Sequence, residues 1–175
     1  MTVTVRNATP ADIPAITDIY RQAVLEGTAT FELDPPDEAE IEQRMAGLLE
    51  GGFPYIVASE GSTLLGYAYA GPYRLRPAYR FTVEDSIYIA PSMHRRGIGR
   101  ALLKELIAQS EKRGFRQMVA VIGDSENHGS IGLHATMGFK MTGTFDDVGY
   151  KFGRWLDSVM MQLALGEGAT TKPAD

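Results

Sequence analysis

Apolar residues at Ile13, Ile16, Ile19, Tyr20 and Val24 recur every three or four positions and predict one face of a helix. Thr9-Pro10-Ala11-Asp12 marks its start, with a hydroxyl N-cap, proline at the first helical position and an acid in the first turn. It should run to about Leu25, with Gly27 ending it. Ile41, Met45, Leu48 and Leu49 predict a second helix from Asp37 to about Glu50, closed by Gly51-Gly52. Ile98, Leu102, Leu103, Leu106 and Ile107 predict a third. Elsewhere the period is two. Val3 and Val5 alternate with Thr4 and Arg6 as a short strand, and Pro54 to Glu60 and Thr63 to about Pro72 read as a hairpin joined by Gly61-Ser62. A strand through Tyr88 and Ile89 must stop by Pro91, which cannot donate to a ladder. Phe115 to Ile122 is a strongly apolar strand, Asn127 to about Met137 a short helix, Lys140 to Thr144 a strand, and Phe152 to Leu163 the last strand.

Strand, helix, strand between residues 82 and 122 implies a parallel pair with a right-handed crossover. The pattern as a whole predicts a single α/β domain over residues 1–165, with a small, polar, frayed tail over 166–175. A length of 175 residues, 44% of them hydrophobic and 22% charged, fits one globular domain. The chain has no cysteine, which excludes a disulfide framework, cysteine-ligated zinc and a thiol nucleophile, and suits a reducing cytoplasm. Its three histidines lack ligand spacing, so no metal is expected. A formal charge of -5 argues against general nucleic-acid binding. No apolar run is long enough to cross a bilayer, and Met1 to Thr9 lacks a signal-peptide core, so the reading is cytoplasmic, with no membrane or nucleic-acid partner.

Chemistry concentrates where the central strand meets the third helix. His94, Arg95 and Arg96 precede Gly97-Ile98-Gly99-Arg100. Glycines let successive N–H groups and the positive helix end converge on an anion, while flanking arginines supply full charge. The plainer reading is a basic turn capped by glycine. A nucleotide P-loop would place Lys-Ser or Lys-Thr after Gly99, where Arg100-Ala101 stands, and a dinucleotide fingerprint would place a third glycine near position 102, which is leucine.

Just upstream, Tyr73-Arg74-Leu75-Arg76-Pro77-Ala78-Tyr79-Arg80 is either a binding segment or a solvated loop. In the strand that follows, Thr82, Glu84, Ser86 and Tyr88 share one face, and Val83, Asp85, Ile87 and Ile89 the other. Asp85 is out of place in that apolar set. It marks either a β-bulge or a carboxylate at an exposed edge.

The loop resembles the Gln/Arg-x-x-Gly-x-Gly/Ala signature of the Gcn5-related N-acetyltransferases, with His94 in the Gln/Arg place. Ala78-Tyr79-Arg80, Thr82-Val83-Glu84, Ser86-Ile87-Tyr88, Ile131-Gly132-Leu133-His134 and Lys151-Phe152-Gly153-Arg154-Trp155 resemble the phosphinothricin and methionine sulfoximine branch, over residues 3 to 163. The resemblance implies a mostly antiparallel mixed sheet, splayed beside the central strand where acetyl-CoA inserts. It implies direct acetyl transfer to the amine of a small amino-acid-like substrate, and a homodimer. The cofactor would lie against Ile87, Tyr88, Ile89, the loop from His94 to Arg100, Asn127 and Ser130. A bulge at Asp85 would free a backbone N–H for the acetyl carbonyl.

Glu84 would be the general base; outside this context a lone strand glutamate is an ordinary cross-strand partner. His134, in place of the family's acidic tyrosine, is either the acid for the departing thiolate or a core histidine. Phe31, Arg74, Arg76, Arg80, Thr82 and Lys151 would meet the acceptor, with Arg76 and Arg80 matching the branch most closely. Phe31 could instead staple the next helix, and Trp155 could anchor the last strand. The rival readings are an acetyltransferase for a polyamine or a protein N-terminus, and a module that binds acyl-CoA without transfer.

Overall fold

The computed structural model describes residues 3–173. In chain order the elements are β1 (Thr4–Asn7), α1 (Ile13–Glu26), α2 (Glu38–Glu50), β2 (Tyr55–Glu60), β3 (Thr63–Pro72), β4 (Thr82–Ile89), α3 (Ile98–Lys112), β5 (Gln117–Gly123), α4 (His128–Thr136), β6 (Lys140–Lys151) and β7 (Arg154–Ala164). Thr9 opens the first helical segment through a reciprocal cap with Asp12, as its sequence predicts. Arg6 on β1 donates to both Asp12 oxygens at 2.7 and 2.8 Å, which ties the first strand to this turn. That pairing holds the Asp12 carboxyl below its ordinary value.

The strands form one sheet in the order β1-β2-β3-β4-β5-β7-β6, and β4–β5 is its parallel pair. On one face α3 seats Leu102, Leu103 and Leu106 against Ile56, Leu65, Val83 and Met118. On the other, α1 and α2 bring Ile16, Val24, Ile41 and Met45 onto Tyr55, Val57, Tyr67 and Tyr88. Each fully buried leucine contributes about 1.5–3 kcal/mol. These two layers clamp the sheet while leaving one gap. β4 and β5 pair from Thr82↔Gln117 only as far as Asp85↔Ala120, and then diverge although both strands continue.

Four expectations change. β3–β4 pairing is unbroken from Pro72↔Val83 to Gly66↔Ile89, so Asp85 marks no bulge, and its side chain is buried rather than at an exposed edge. β6 continues past Thr144 to Lys151, with irregular register between Phe145 and Gly149, where Asp147 is left-handed at φ 54. Phe152 and Gly153, at φ 52 and 73, make the two-residue hairpin turn into β7, so the last strand begins at Arg154. The segment after Leu165 is tied down: Arg116 donates to Gly168, Thr171 and Lys172, and Gly166 N–H to Glu111. Positions 174 and 175 of the expected frayed tail lie outside the described residues.

Candidate active site

The gap between β4 and β5 forms a narrow cleft lined by Asp85–Tyr88, Ala120–Gly123, Ala29, and Asn127, Ser130 and His134 of α4. Beyond Asp85 and Ala120 the facing edges of the two strands have no ladder with each other. A strand-like ligand could use those edges. Ile87, Tyr88, Asn127, Ser130 and His134 all line this one cleft. The Tyr88 ring is committed elsewhere, 5.0 Å edge-on from Tyr20 and 5.3 Å stacked on Tyr67, which leaves its backbone to the cleft. Asn127 caps α4 by accepting from Ser130 N–H at 3.2 Å. Ile89 does not line the cleft; its carbonyl pairs with His94 Nε2 at 3.2 Å.

That contact closes the glycine loop on itself, giving His94 a structural task where the family signature has a Gln or Arg. Arg95 and Gly97 are left-handed at φ 59 and 78, reversing the chain into α3. Gly97 caps α3 with no side-chain hydrogen bond, and a Cβ there would meet nothing within 4 Å. The first N–H groups of the helix lack intrahelical partners, and Arg95, Arg96 and Arg100, close in sequence on either side of Gly97, are exposed. This loop can cradle a pyrophosphate. Ile98 is buried in the core, so only its backbone N–H can take part. Gly99 allows close packing, since a Cβ would sit 3.1 Å from Leu133 of α4.

Glu84 is half-buried on the α1–α2 face of β4, one residue before the paired strands part. Burial pushes its carboxyl above the ordinary value; the Arg74 charge opposes this and neighbouring Asp85 adds to it. Such a shift suits a carboxylate that must accept a proton near neutral pH. The three arginines do not form one cluster. Arg74, held by the Tyr73 carbonyl at 2.9 Å, is the arginine whose charge acts on Glu84. Arg76 is exposed before the turn at Pro77–Tyr79. Arg80 lies over the Phe81 ring at 4.5 Å and lines a separate groove with Arg113 and Arg116. Arg76 and Arg80, the two that match the branch most closely, are thus not the arginines whose charge acts on Glu84. Thr82 closes the connector through its carbonyl, accepting Tyr73 N–H at 3.3 Å.

Lys151 is turned inward, contrary to expectation. Its Nζ donates to the Gly27 and Thr30 carbonyls at 2.9 Å each, so it pins the loop after α1 instead of facing an acceptor. Burial pulls its pKa down. Phe31, on that loop, seats against the glycine backbones of β5 and β6. A Cβ at Gly149 would lie 2.4 Å from its ring, and one at Gly123 would lie 2.2 Å from the Thr28 carbonyl. Sequence reasoning missed the rest of this support. Tyr20 donates to Glu32 at 2.9 Å and pairs with Thr30 at 3.0 Å, and Arg44 of α2 bonds Glu32 at 2.7 Å. The phenol of Tyr20 on an otherwise apolar helix face was the available signal. Trp155 is exposed and packs edge-on with Tyr150 at 5.2 Å, so it is no buried anchor.

His134 is buried and bonded through both ring nitrogens, Nδ1 to the Ser130 carbonyl at 2.8 Å and Nε2 to Asp85 Oδ2 at 2.9 Å. Burial pulls the His134 pKa down, but the Asp85 hydrogen bond and charge, with the Ser130 backbone contact, together lift it above its ordinary value.

A mixed sheet opened at its parallel pair, beside a helix start with no side-chain cap, is the frame of a coenzyme A-dependent acyltransferase. The chain belongs to the GNAT acetyltransferases: the acetyltransferase (GNAT) domain model matches residues 5–160. It is 53% identical over 170 residues to phosphinothricin N-acetyltransferase of Alcaligenes faecalis, covering 97% of this chain and 86% of that one. It is 40% identical to the L-methionine sulfoximine/L-methionine sulfone acetyltransferase of Pseudomonas paraeruginosa, covering 94% and 96%. Among solved structures, a GNAT phosphinothricin acetyltransferase from Sinorhizobium meliloti in complex with acetyl-CoA superposes with a TM-score of 0.97 at 49% identity, covering 100% and 95%.

Proposed function

We propose that this chain transfers the acetyl group of acetyl-CoA directly to the α-amine of a small amino-acid-like acceptor of the phosphinothricin or methionine sulfoximine type. The observation that carries this reading is the placement of Glu84. A half-buried carboxylate with a raised pKa stands where the strands part, between the cleft and the arginine connector. The residues present suit acetyl-CoA: exposed arginines and free helix N–H groups for the pyrophosphate, and unpaired strand edges for the extended arm. Glu84 takes the proton from the incoming ammonium, and the amine attacks the thioester carbonyl. No thiol is available to hold the acetyl group, which favours transfer with both substrates bound. Arg74 receives the acceptor carboxylate, since its charge already reaches the site.

The enzyme works as a homodimer in this reading. The β6–β7 hairpin leaves Phe145, Val148, Tyr150, Phe152 and Trp155 exposed, an apolar band that a second copy would cover. Release of free thiol from acetyl-CoA, measured over a panel of amino acids, polyamines and peptides, tests the acceptor. Phosphinothricin and methionine sulfoximine should be turned over best. Binding of acetyl-CoA with no turnover on any amine would leave an acyl-CoA sensor and refute transfer; preference for polyamines would refute the amino-acid acceptor.

A further inference from the structure

Asp85 stands at the vertex of the cleft, the last β4 residue paired with β5. Its side chain and that of His134 are both almost fully buried, and both residues line the cleft. One carboxylate oxygen, Oδ2, takes His134 Nε2; the other, Oδ1, has no hydrogen-bond partner among the described residues. Nδ1 lies 2.8 Å from the Ser130 carbonyl, which can only accept, and 3.4 Å from the Ser130 hydroxyl; the nearer carbonyl calls for a proton on Nδ1, and the Asp85 carboxylate calls for one on Nε2. From the other packed element the Phe139 ring meets the imidazole edge-on at 4.9 Å and brings no charge. Among the described residues Asp85 is the ionisable side chain that pairs with it.

We propose that Asp85 is a positioning residue for acetyl transfer: it holds His134 as an imidazolium at the vertex of the cleft, so that the departing thiolate meets a proton already in place. The proposal rests on the acetyl-transfer reading above. As the amine adds and the C–S bond breaks, the electron pair goes to sulfur, and the Nε2 proton leaves its hydrogen bond with Asp85 Oδ2 for the sulfur. Neutral His134 and Asp85 remain, and solvent returns the proton. Charge is conserved, because thiolate plus an imidazolium–carboxylate pair becomes thiol plus a neutral imidazole and a carboxylate. An imidazole with its ordinary pKa of about 6.5 would be mostly unprotonated at neutral pH, when a thiol of pKa about 8.5 must be formed. The carboxylate shifts the ring toward its protonated form.

Asp85→Asn keeps the shape but offers Nε2 a neutral partner. The experiment compares kcat against pH for parent, Asp85→Asn and His134→Gln, with acetyl-CoA affinity by calorimetry and the His134 protonation state from ¹⁵N chemical shifts. In Asp85→Asn, kcat at neutral pH should fall on the order of 10-fold, close to the loss in His134→Gln. Its alkaline limb should move to lower pH by at least about one unit, while acetyl-CoA affinity stays within about 2-fold of the parent. The parent ring should show two protonated nitrogens at neutral pH and the variant one. Superimposable pH profiles in an active parent, or a parent ring that is neutral at pH 7, would overturn the role of Asp85 and leave acetyl transfer standing. No turnover in the parent would refute the transfer reading itself, and this role with it. If Asp85→Asn fails to fold, Asp85→Ser and the parent spectrum carry the same test.

Discussion

Lys151→Met separates a support from a substrate contact, because it keeps the apolar stem and removes only the ammonium. In the parent, Nζ donates to Gly27 and Thr30 carbonyls at 2.9 Å each, from a residue that is 4% exposed. Hydrogen bonds from a charged donor contribute about 1.5–3 kcal/mol each, so two contribute about 3–6 kcal/mol before desolvation is counted. Keeping an ammonium out of water offsets part of this, which is the reason its pKa is lowered. The net loss on substitution should be about 2–4 kcal/mol, including the cost of two carbonyls left without a donor. For a domain of this size about 2–4 °C of melting temperature goes with each kcal/mol, so Tm should drop by about 4–16 °C. Thermal and urea unfolding measure this directly. Both should show the loss, with only a modest rise in acceptor KM from a looser Phe31 loop. A variant as stable as the parent whose acceptor KM rises 10-fold or more would refute the reasoning and return Lys151 to the acceptor site.

Glu84→Gln should lower kcat by about 10²–10⁴-fold with acetyl-CoA affinity unchanged. The parent profile should lose activity as pH falls through a carboxyl pKa above 4.5, a limb absent from the variant's residual rate. A carboxyl raised in the folded state stabilises only below its unfolded pKa and loses that contribution as pH rises through the folded one, so at neutral pH the variant's Tm should equal or exceed the parent's. Gly97→Val should weaken acetyl-CoA binding at least about 10-fold by calorimetry, because φ 78 suits glycine and the open space beside it is the proposed phosphate cradle. Asp12→Asn should cost about 1–2 kcal/mol at neutral pH through loss of the cap and the Arg6 pairing. Since the folded Asp12 pKa lies below the ordinary 3.8, urea unfolding of parent and variant should converge as pH falls through it.

Much of this fold was legible because it is local. Helical spacing in α1, α2 and α3, the cap at Thr9, the hairpin turn at Gly61-Ser62 and the stop at Pro91 each depend on a few neighbouring residues. The candidate cofactor loop was legible for the same reason. What misled was long-range. Lys151 reads as an exposed cation because lysines usually are, and only the return of the chain over 121 positions brings Thr30's carbonyl to it. Arg80 shares a sequence motif with Arg74 but follows the short turn at Pro77–Tyr79, which sends it to the far groove. The β6–β7 turn was hidden in Phe152-Gly153, since a left-handed phenylalanine is rare enough that the strand seemed to start there.

Asp85 shows how a misfit in a pattern can be read too narrowly. An acid among Val83, Ile87 and Ile89 is out of place, yet neither a β-bulge nor an exposed edge provides for a buried carboxylate with a partner. The interior holds it instead, because a histidine from another layer arrives with its second nitrogen already satisfied by its own helix. The consequence depends on the alternation of the strand. Glu84 and Asp85 are adjacent, so their side chains leave opposite faces of the sheet, one toward α1 and α2 and the other toward α4. In a closed sheet those faces would be isolated from each other. Here β4 and β5 part at this point, so a thioester lying in the gap would meet the proposed base from one side and the proposed proton donor from the other. The period of two thus separates the two proton transfers by a sheet's thickness, and the splay lets a single bond change engage both.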